Sequence, residues 1–287
     1  MRIQDNLISV VIPVTKMSGK LQNLESSIRN ADAGKFRIIL VHDRRDSATF
    51  EELQEIEKKY DRGHITLLDG QFGSAGAARN AGLKFATQKI VTFWDSDDIA
   101  LPQEIVRICN KTNWNEVSAV ASSFIQVDEI SKEVSHLFGE KLRDNQVKLA
   151  ANPGIWRWLF RRDYLSAPFE EYSMGEDQLF MIRNLANLNI EFSSCVTYKY
   201  FSGIEYQATE QIGTKKIHDL ENVSNEISKI LKIQEYSYSE LTKFMFVGIQ
   251  LSLFKYGHLT LRIKSGITLI LNIRKAFGIL VSRRSSD

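Results

Sequence analysis

The first hundred residues alternate between two hydrophobic periods. Ile8-Ser9-Val10-Val11-Ile12-Pro13-Val14, Arg37-Ile38-Ile39-Leu40-Val41, Ile65-Thr66-Leu67-Leu68 and Ile90-Val91-Thr92-Phe93-Trp94 are short, rich in β-branched residues and apolar almost throughout. Continuous runs of this kind suit strands covered on both faces, whereas a half-exposed strand alternates. Between them the spacing turns helical. Leu21, Leu24, Ser27 and Ile28 mark one face, Phe50, Leu53 and Ile56 begin another, and Ala75–Thr87 is Ala-rich with Ser74 placed as its N-cap. Strand followed by helix, three times over, predicts an α/β fold with a doubly wound, mostly parallel sheet.

The second hundred residues are less regular. Pro102 suits a first helical position and opens a helix predicted to reach Asn113. Val117–Val127 reads as a strand, residues 131–138 as its hairpin partner and residues 139–152 as a polar loop. Order resumes over Arg157–Leu165, followed by a helix over Glu176–Leu188 and a strand over Ile190–Phe201. Three amphipathic helices, at 215–232, 239–256 and 259–282, then close the chain, and a boundary falls near residue 210.

Composition adds little until it is divided along the chain. Apolar residues at 43% and charged residues at 25% of 287 positions are ordinary for a globular protein with a full core. Between Glu240 and Asp287, however, eight Lys/Arg face two acids. That end therefore carries +6 of a total of +2 and leaves −4 on the preceding residues. A basic end on a mildly acidic body points to an anionic surface as partner, and the body lacks the basic stripe that nucleic acid would need. Two readings of this end stand together: an interfacial helix pair on an anionic membrane through residues 240–284, or a helical cap packed on the rest. The apolar runs there are broken by Arg262, Lys264, Arg274 and Lys275, so no spanning helix is expected. Cys109 and Cys195 fall in no metal or redox spacing and are expected to be free thiols. Met1–Asn6 lacks a signal-peptide pattern, which points to the cytoplasm.

Candidate chemistry collects at strand ends, where open α/β sheets bind ligands. Thr15-Lys16 follows the first strand, His42-Asp43 closes the second, and Asp95-Ser96-Asp97-Asp98 follows the fourth. Carboxylates this close repel unless a cation or proton compensates them, and Mg2+ or Mn2+ takes carboxylate oxygen and bridges to phosphate. The plainer alternative is a solvated loop in which Asp98 caps the next helix. Gly70–Gly82 is a small-residue lead into a helix without the spacing of a P-loop or a dinucleotide fingerprint; it reads either as a phosphate cradle or as close packing. Arg79, a guanidinium among Ala and Gly, needs a purpose: an ion pair or a nucleotide contact. Glu176-Asp177 in a helical first turn is favoured by the helix dipole alone, or supplies a general base.

These segments, in this order, resemble the inverting family 2 glycosyltransferases of GT-A fold over residues 7–205. The motifs are Ile8–Val14, Val41-His42-Asp43, Ala77–Gly82, Phe93–Asp98 and Gly175-Glu176-Asp177. The resemblance implies a GT-A catalytic domain over residues 1–210, its nucleotide-sugar half at 1–100 and its acceptor side at 101–210, with a helical appendage at 211–287. It implies a nucleotide-sugar donor of the UDP-sugar class, held by Pro13, Val14, Thr15, Asp43, Arg79, Asp95 and Ser96, with Asp43 reading the base. Asp97, with Asp95, would hold Mn2+ or Mg2+, and Asp177 would be the catalytic base. Trp156, Trp158 and Glu176 would meet a glycan or lipid-linked acceptor in surface-polysaccharide synthesis, at the cytoplasmic membrane face. His42 stands where the family usually has an aspartate, Arg44-Arg45 replace a Gly-Ser turn, Thr15-Lys16 replace an aromatic-Asn pair, and no histidine occurs in Lys199–Thr209. Two other activities remain open at this point: a metal-dependent nucleotidyltransferase, and a non-catalytic nucleotide-sugar-binding module.

Overall fold

A computed structural model of the chain describes residues 8–44, 46–61, 63–128, 133–185, 188–202, 213–232 and 240–284. The element order is β1 (Ile8–Val14), α1 (Gln22–Arg29), β2 (Phe36–Asp43), α2 (Ser47–Tyr60), β3 (Ile65–Gly70), α3 (Ala75–Leu83), β4 (Ile90–Phe93) and β5 (Ile99–Ala100). It continues with α4 (Pro102–Lys111), β6 (Ala119–Asp128), β7 (Val134–His136), α5 (Leu142–Ala151), β8 (Trp158–Arg161), α6 (Glu176–Leu185) and β9 (Ile190–Ser202). Four helices follow: α7 (Thr214–Lys232), α8 (Glu240–Tyr256), α9 (Leu259–Leu271) and α10 (Ile273–Arg284).

One sheet runs through the molecule in the order β3-β2-β1-β4-β8-β6-β9-β5, with β7 paired to β6. The β3-β2-β1-β4 half is parallel, and the reversal of direction at β1 puts the ends of β1, β2 and β4 at a switch point. β8 runs antiparallel to both β4 and β6, and β9 runs parallel to β6. The expected parallel sheet is therefore present in its first half and continues into a mixed second half. The continuous apolar run of β1 is explained by its two covered faces. Val11 joins the core with α3, α6, α7 and α8, while Val10, Ile12 and Val14 join the core with α1, α2 and α4.

Ser74 caps α3 by accepting the Ala77 amide at 3.1 Å. Gly82 lets α3 lie close on the sheet: a Cβ there would come within 2.4 Å of Val11 Cγ1 and 3.0 Å of Val41 Cγ2. At Gly76 a Cβ would meet the Glu170 carbonyl oxygen at 2.7 Å. For these two glycines, close packing is the better of the two readings of the segment.

Three expectations are corrected. Residues 139–152 are not a loop: α5 buries Asn145, Leu149, Ala150 and Ala151 beneath α8 and α10, so tertiary burial overrides a weak amphipathic pattern. The helix expected over 259–282 breaks at Asn272 into α9 and α10, bent by 101°. Asp98 caps no helix, since α4 begins at Pro102 behind Leu101. The expected hairpin partner is β7, and both cysteines are free. The boundary near residue 210 lies outside the described residues.

Candidate active site

The parallel half brings its strand ends together. Val14 pairs in register with His42, and His42 with Asp69, so the segments leaving β1, β2 and β3 share one edge. Asp43, last in β2, accepts the Phe72 amide at 2.8 Å and the Gly73 amide at 3.2 Å through Oδ1. That carboxylate ties the strand end to the turn leading into α3, where Gly73 sits at φ +78°. His42 faces the interior: its Nδ1 is 2.9 Å from Asp69 Oδ1, its ring lies against Phe50, and Asp69 Oδ2 accepts from Arg44. The His42-Asp69-Arg44 chain accounts for two of the unusual residues here. Arg45 lies outside the described residues.

Arg79 is the junction of the site. It projects from the middle of α3 and is buried, with 6% of its side chain open. Its Nη2 donates to Asp95 Oδ1 at 2.8 Å and its Nη1 to Glu176 Oε1 at 3.2 Å. Asp95 follows β4 and Glu176 opens α6, so one guanidinium joins the loop after β4 to the start of α6. Asn80, the next residue, brackets Phe169 by donating to its carbonyl and accepting its amide, both at 2.8 Å. This fixes the segment that leads to α6, and the Phe169 ring lies 5.5 Å from the guanidinium carbon. Gly175, at φ +84°, makes the turn into α6 under Leu220 and Val223 of α7.

Asp177 is half-buried beside this pair. Burial, and then the Glu176 carboxylate, push its carboxyl up to about 7, with Arg79 opposing. Its Oδ1 accepts the Gln178 amide at 2.7 Å. Glu176 is raised as well, again chiefly by burial against the pull of Arg79. A carboxyl poised near neutrality, backed by a fixed cation, is suited to accepting a proton from a hydroxyl.

The acid loop between β4 and β5 is held from several sides. The Asp95 amide donates to the Tyr198 hydroxyl at 2.8 Å, Asp98 accepts the Phe201 amide at 2.8 Å and the Tyr198 hydroxyl, and the Asp97 carbonyl accepts Asn23 Nδ2 at 2.7 Å. Asp98 is buried and carries a carboxyl pushed up to about 9, first by burial and then by Asp97 and Asp95. It is therefore a structural member of the loop. Asp97 remains partly open, and burial together with Asp95 pushes its carboxyl up to about 6. A cation at Asp97 would relieve both effects. Among the described residues no three His, Cys, Asp or Glu side chains converge as a protein-built metal cage. The donor set fits a hard dication that Asp97, with Asp95 adjoining, would hold, its remaining ligands to be supplied by phosphate oxygen and water.

Arg79, Asp95, Glu176 and Asp177 thus meet, Asp97 adjoins them, and Asp43 is tied to them through the turn before α3. Other expected contacts are corrected. Trp158 is fully buried, because β8 lies between β4 and β6 with both faces covered. Trp156, 8% exposed, stacks on Tyr198 at 4.6 Å and Tyr200 at 5.6 Å, so neither indole offers a face to a sugar. Val14 is buried in the core, leaving Pro13 and Thr15 as the open members of its trio, and Ser96 is buried. Tyr198 and Asn80, which organise the loop and the Phe169 segment, carried no signal beyond polar atoms within apolar or small-residue runs.

The sequence model of glycosyl transferase family 2 matches residues 9–169. The poly(ribitol-phosphate) beta-glucosyltransferase of Bacillus spizizenii is 29% identical over 111 residues, 38% of this chain and 18% of that protein. The GalNAc(5)-diNAcBac-PP-undecaprenol beta-1,3-glucosyltransferase of Campylobacter jejuni is 27% identical over 129 residues, 45% of this chain and 42% of that protein. The matches therefore span less than half the length of these two relatives. Among solved structures, residues 1–349 of S. aureus TarS in complex with UDP-GlcNAc align with a TM-score of 0.69 at 18% identity, covering 87% of this chain and 73% of that one. The likeness shows a shared GT-A fold.

Proposed function

The chain belongs to glycosyl transferase family 2, and from that premise we propose that it transfers a sugar, with inversion, from a UDP-sugar to a glycan or lipid-linked acceptor in bacterial surface-polysaccharide synthesis. The observation that carries this reading is the Arg79 bridge, which sets Asp177 beside the donor-side carboxylate Asp95. The relatives named above support the acceptor class, and UDP-GlcNAc in the TarS complex supports the donor class.

In this reading Pro13, Thr15 and the Asp43 turn border the nucleoside, and Asp97 with Asp95 faces the diphosphate. Mn2+ or Mg2+ held there would offset the charge that develops on the departing diphosphate. Asp177 takes the proton from the acceptor hydroxyl as its oxygen attacks the anomeric carbon from the side opposite the leaving group. Arg79 holds Glu176 and Asp95 in position, so Glu176 acts by orienting the cluster. A nucleotide sugar would be met in the cytoplasm.

Asp177→Asn should keep the thermal shift produced by UDP and Mn2+ while losing about two to four orders of magnitude in transfer rate. An undiminished rate would remove the base assignment. Release of pyrophosphate in place of a nucleoside diphosphate would favour a nucleotidyltransferase, and no donor turnover at all would favour a binding module.

A further inference from the structure

The last two helices each carry two apolar faces. On the inner side, Leu261 and Ser265 of α9 and Ala276 and Ile279 of α10 are buried against the domain. On the outer side, Leu259, Ile263, Ile267 and Ile270 of α9 and Ile273 and Phe277 of α10 are each more than half exposed. Their spacing of three or four residues makes each set one continuous row along its helix. A helix packed on a water-soluble domain normally turns polar side chains outward. Single exposed apolar residues are common, but a helically spaced row of large ones marks an interaction surface.

Charge identifies the partner. From Leu241 to Ser286 the chain has eight Lys/Arg and no Asp or Glu. Lys243 and Lys275 pair with Glu240. Lys255, Arg262, Lys264 and Arg274 are exposed and, among the described residues, meet no carboxylate. Apolar rows flanked by unpaired cations match the layering of a bilayer surface, with acyl chains beneath anionic headgroups. A second copy of this chain fits less well, since an isologous contact would bring the same unneutralised cations together.

We propose that α9 and α10 form an interfacial anchor that seats the enzyme on an anionic lipid surface. Neither helix is long and apolar enough to cross a membrane, although the bent pair together has the length and composition. The buried inner faces oppose crossing, because insertion would strip Leu261, Ala276 and Ile279 from the domain. Seating would take place on the acceptor side: α9 packs on α8, α8 on α7, and α7 on α6, the helix that begins with Glu176-Asp177.

The test is co-sedimentation of the full chain with phosphatidylcholine vesicles with and without phosphatidylglycerol. Binding should require phosphatidylglycerol and should fall about tenfold or more in the Ile267→Glu/Phe277→Glu double variant. Both side chains are exposed, so the variant should keep its melting temperature and its metal-dependent hydrolysis of donor, which shows independently whether the site works. Unchanged partition of the variant overturns the proposal. So would a wild-type dimer in light scattering that the variant dissolves, or protein that resists alkaline carbonate extraction from the vesicles, as a spanning segment would.

Discussion

Replacing Arg79 by Met keeps most of the side-chain volume and removes a cation that reaches three carboxylates of the site: Asp95 and Glu176 in direct contact, and Asp177 through space. Breaking a buried ion pair from one side costs about 3–5 kcal/mol, because the partner's charge is left uncompensated. With an unfolding entropy of about 2.1 cal/mol/K per residue over 287 residues, or roughly 0.6 kcal/mol/K, that loss lowers Tm by about 5–8 °C if the chain unfolds as one unit. The loss should also depend on pH. Asp177, raised to about 7, holds a proton in the folded site that the unfolded chain releases near pH 4, so its contribution to stability declines as pH rises through that interval. Without Arg79 the carboxyls of Glu176 and Asp177 lose the charge that opposes their rise, and the decline becomes steeper and extends to higher pH. Calorimetry of both proteins from pH 5 to pH 8 should therefore show a gap in Tm that widens with pH. A gap below about 1 °C, or one that narrows as pH rises, would refute the electrostatic account of the bridge.

Two further outcomes follow from the same geometry. Glu176→Gln removes the charge that helps raise Asp177, so the acidic limb of kcat/KM, expected near pH 7 in the wild-type enzyme, should move to lower pH; a limb that stays or moves up would contradict the coupling. Gly82→Ala drives a methyl into Val11 and Val41, and should lower stability in urea by about 1–3 kcal/mol despite a helix-propensity gain approaching 1 kcal/mol; a stabilised variant would show that α3 can shift outward.

Elements whose burial is uniform were legible in the sequence. β1, β2 and β4 are covered on both faces and read as unbroken apolar runs, and Ser74 announced its own cap. The acid loop and Glu176-Asp177 stood out because carboxylates at element ends are few. What was not legible depends on long-range partners. α5 is helical because α8 and α10, far later in the chain, cover it. Trp156 and Trp158 invited a sugar-stacking role, yet the run Trp158-Leu159-Phe160 already had the unbroken apolar character of a central strand. His42 made sense only once Asp69 and Arg44 were beside it.

α3 meets a different neighbour at nearly every step: the Glu170 backbone at Gly76, Asp95 and Glu176 at Arg79, the Phe169 backbone at Asn80, and the strands at Gly82. All of these contacts depend on rotational phase. One residue inserted after Ser74 would turn the remainder of the helix by about 100° relative to its cap. Arg79, Asn80 and Gly82 would leave their partners together, in a helix still able to form. Length variation can be absorbed in the connections around this helix, but within it a single added residue would unseat Asp95 and Glu176 at once.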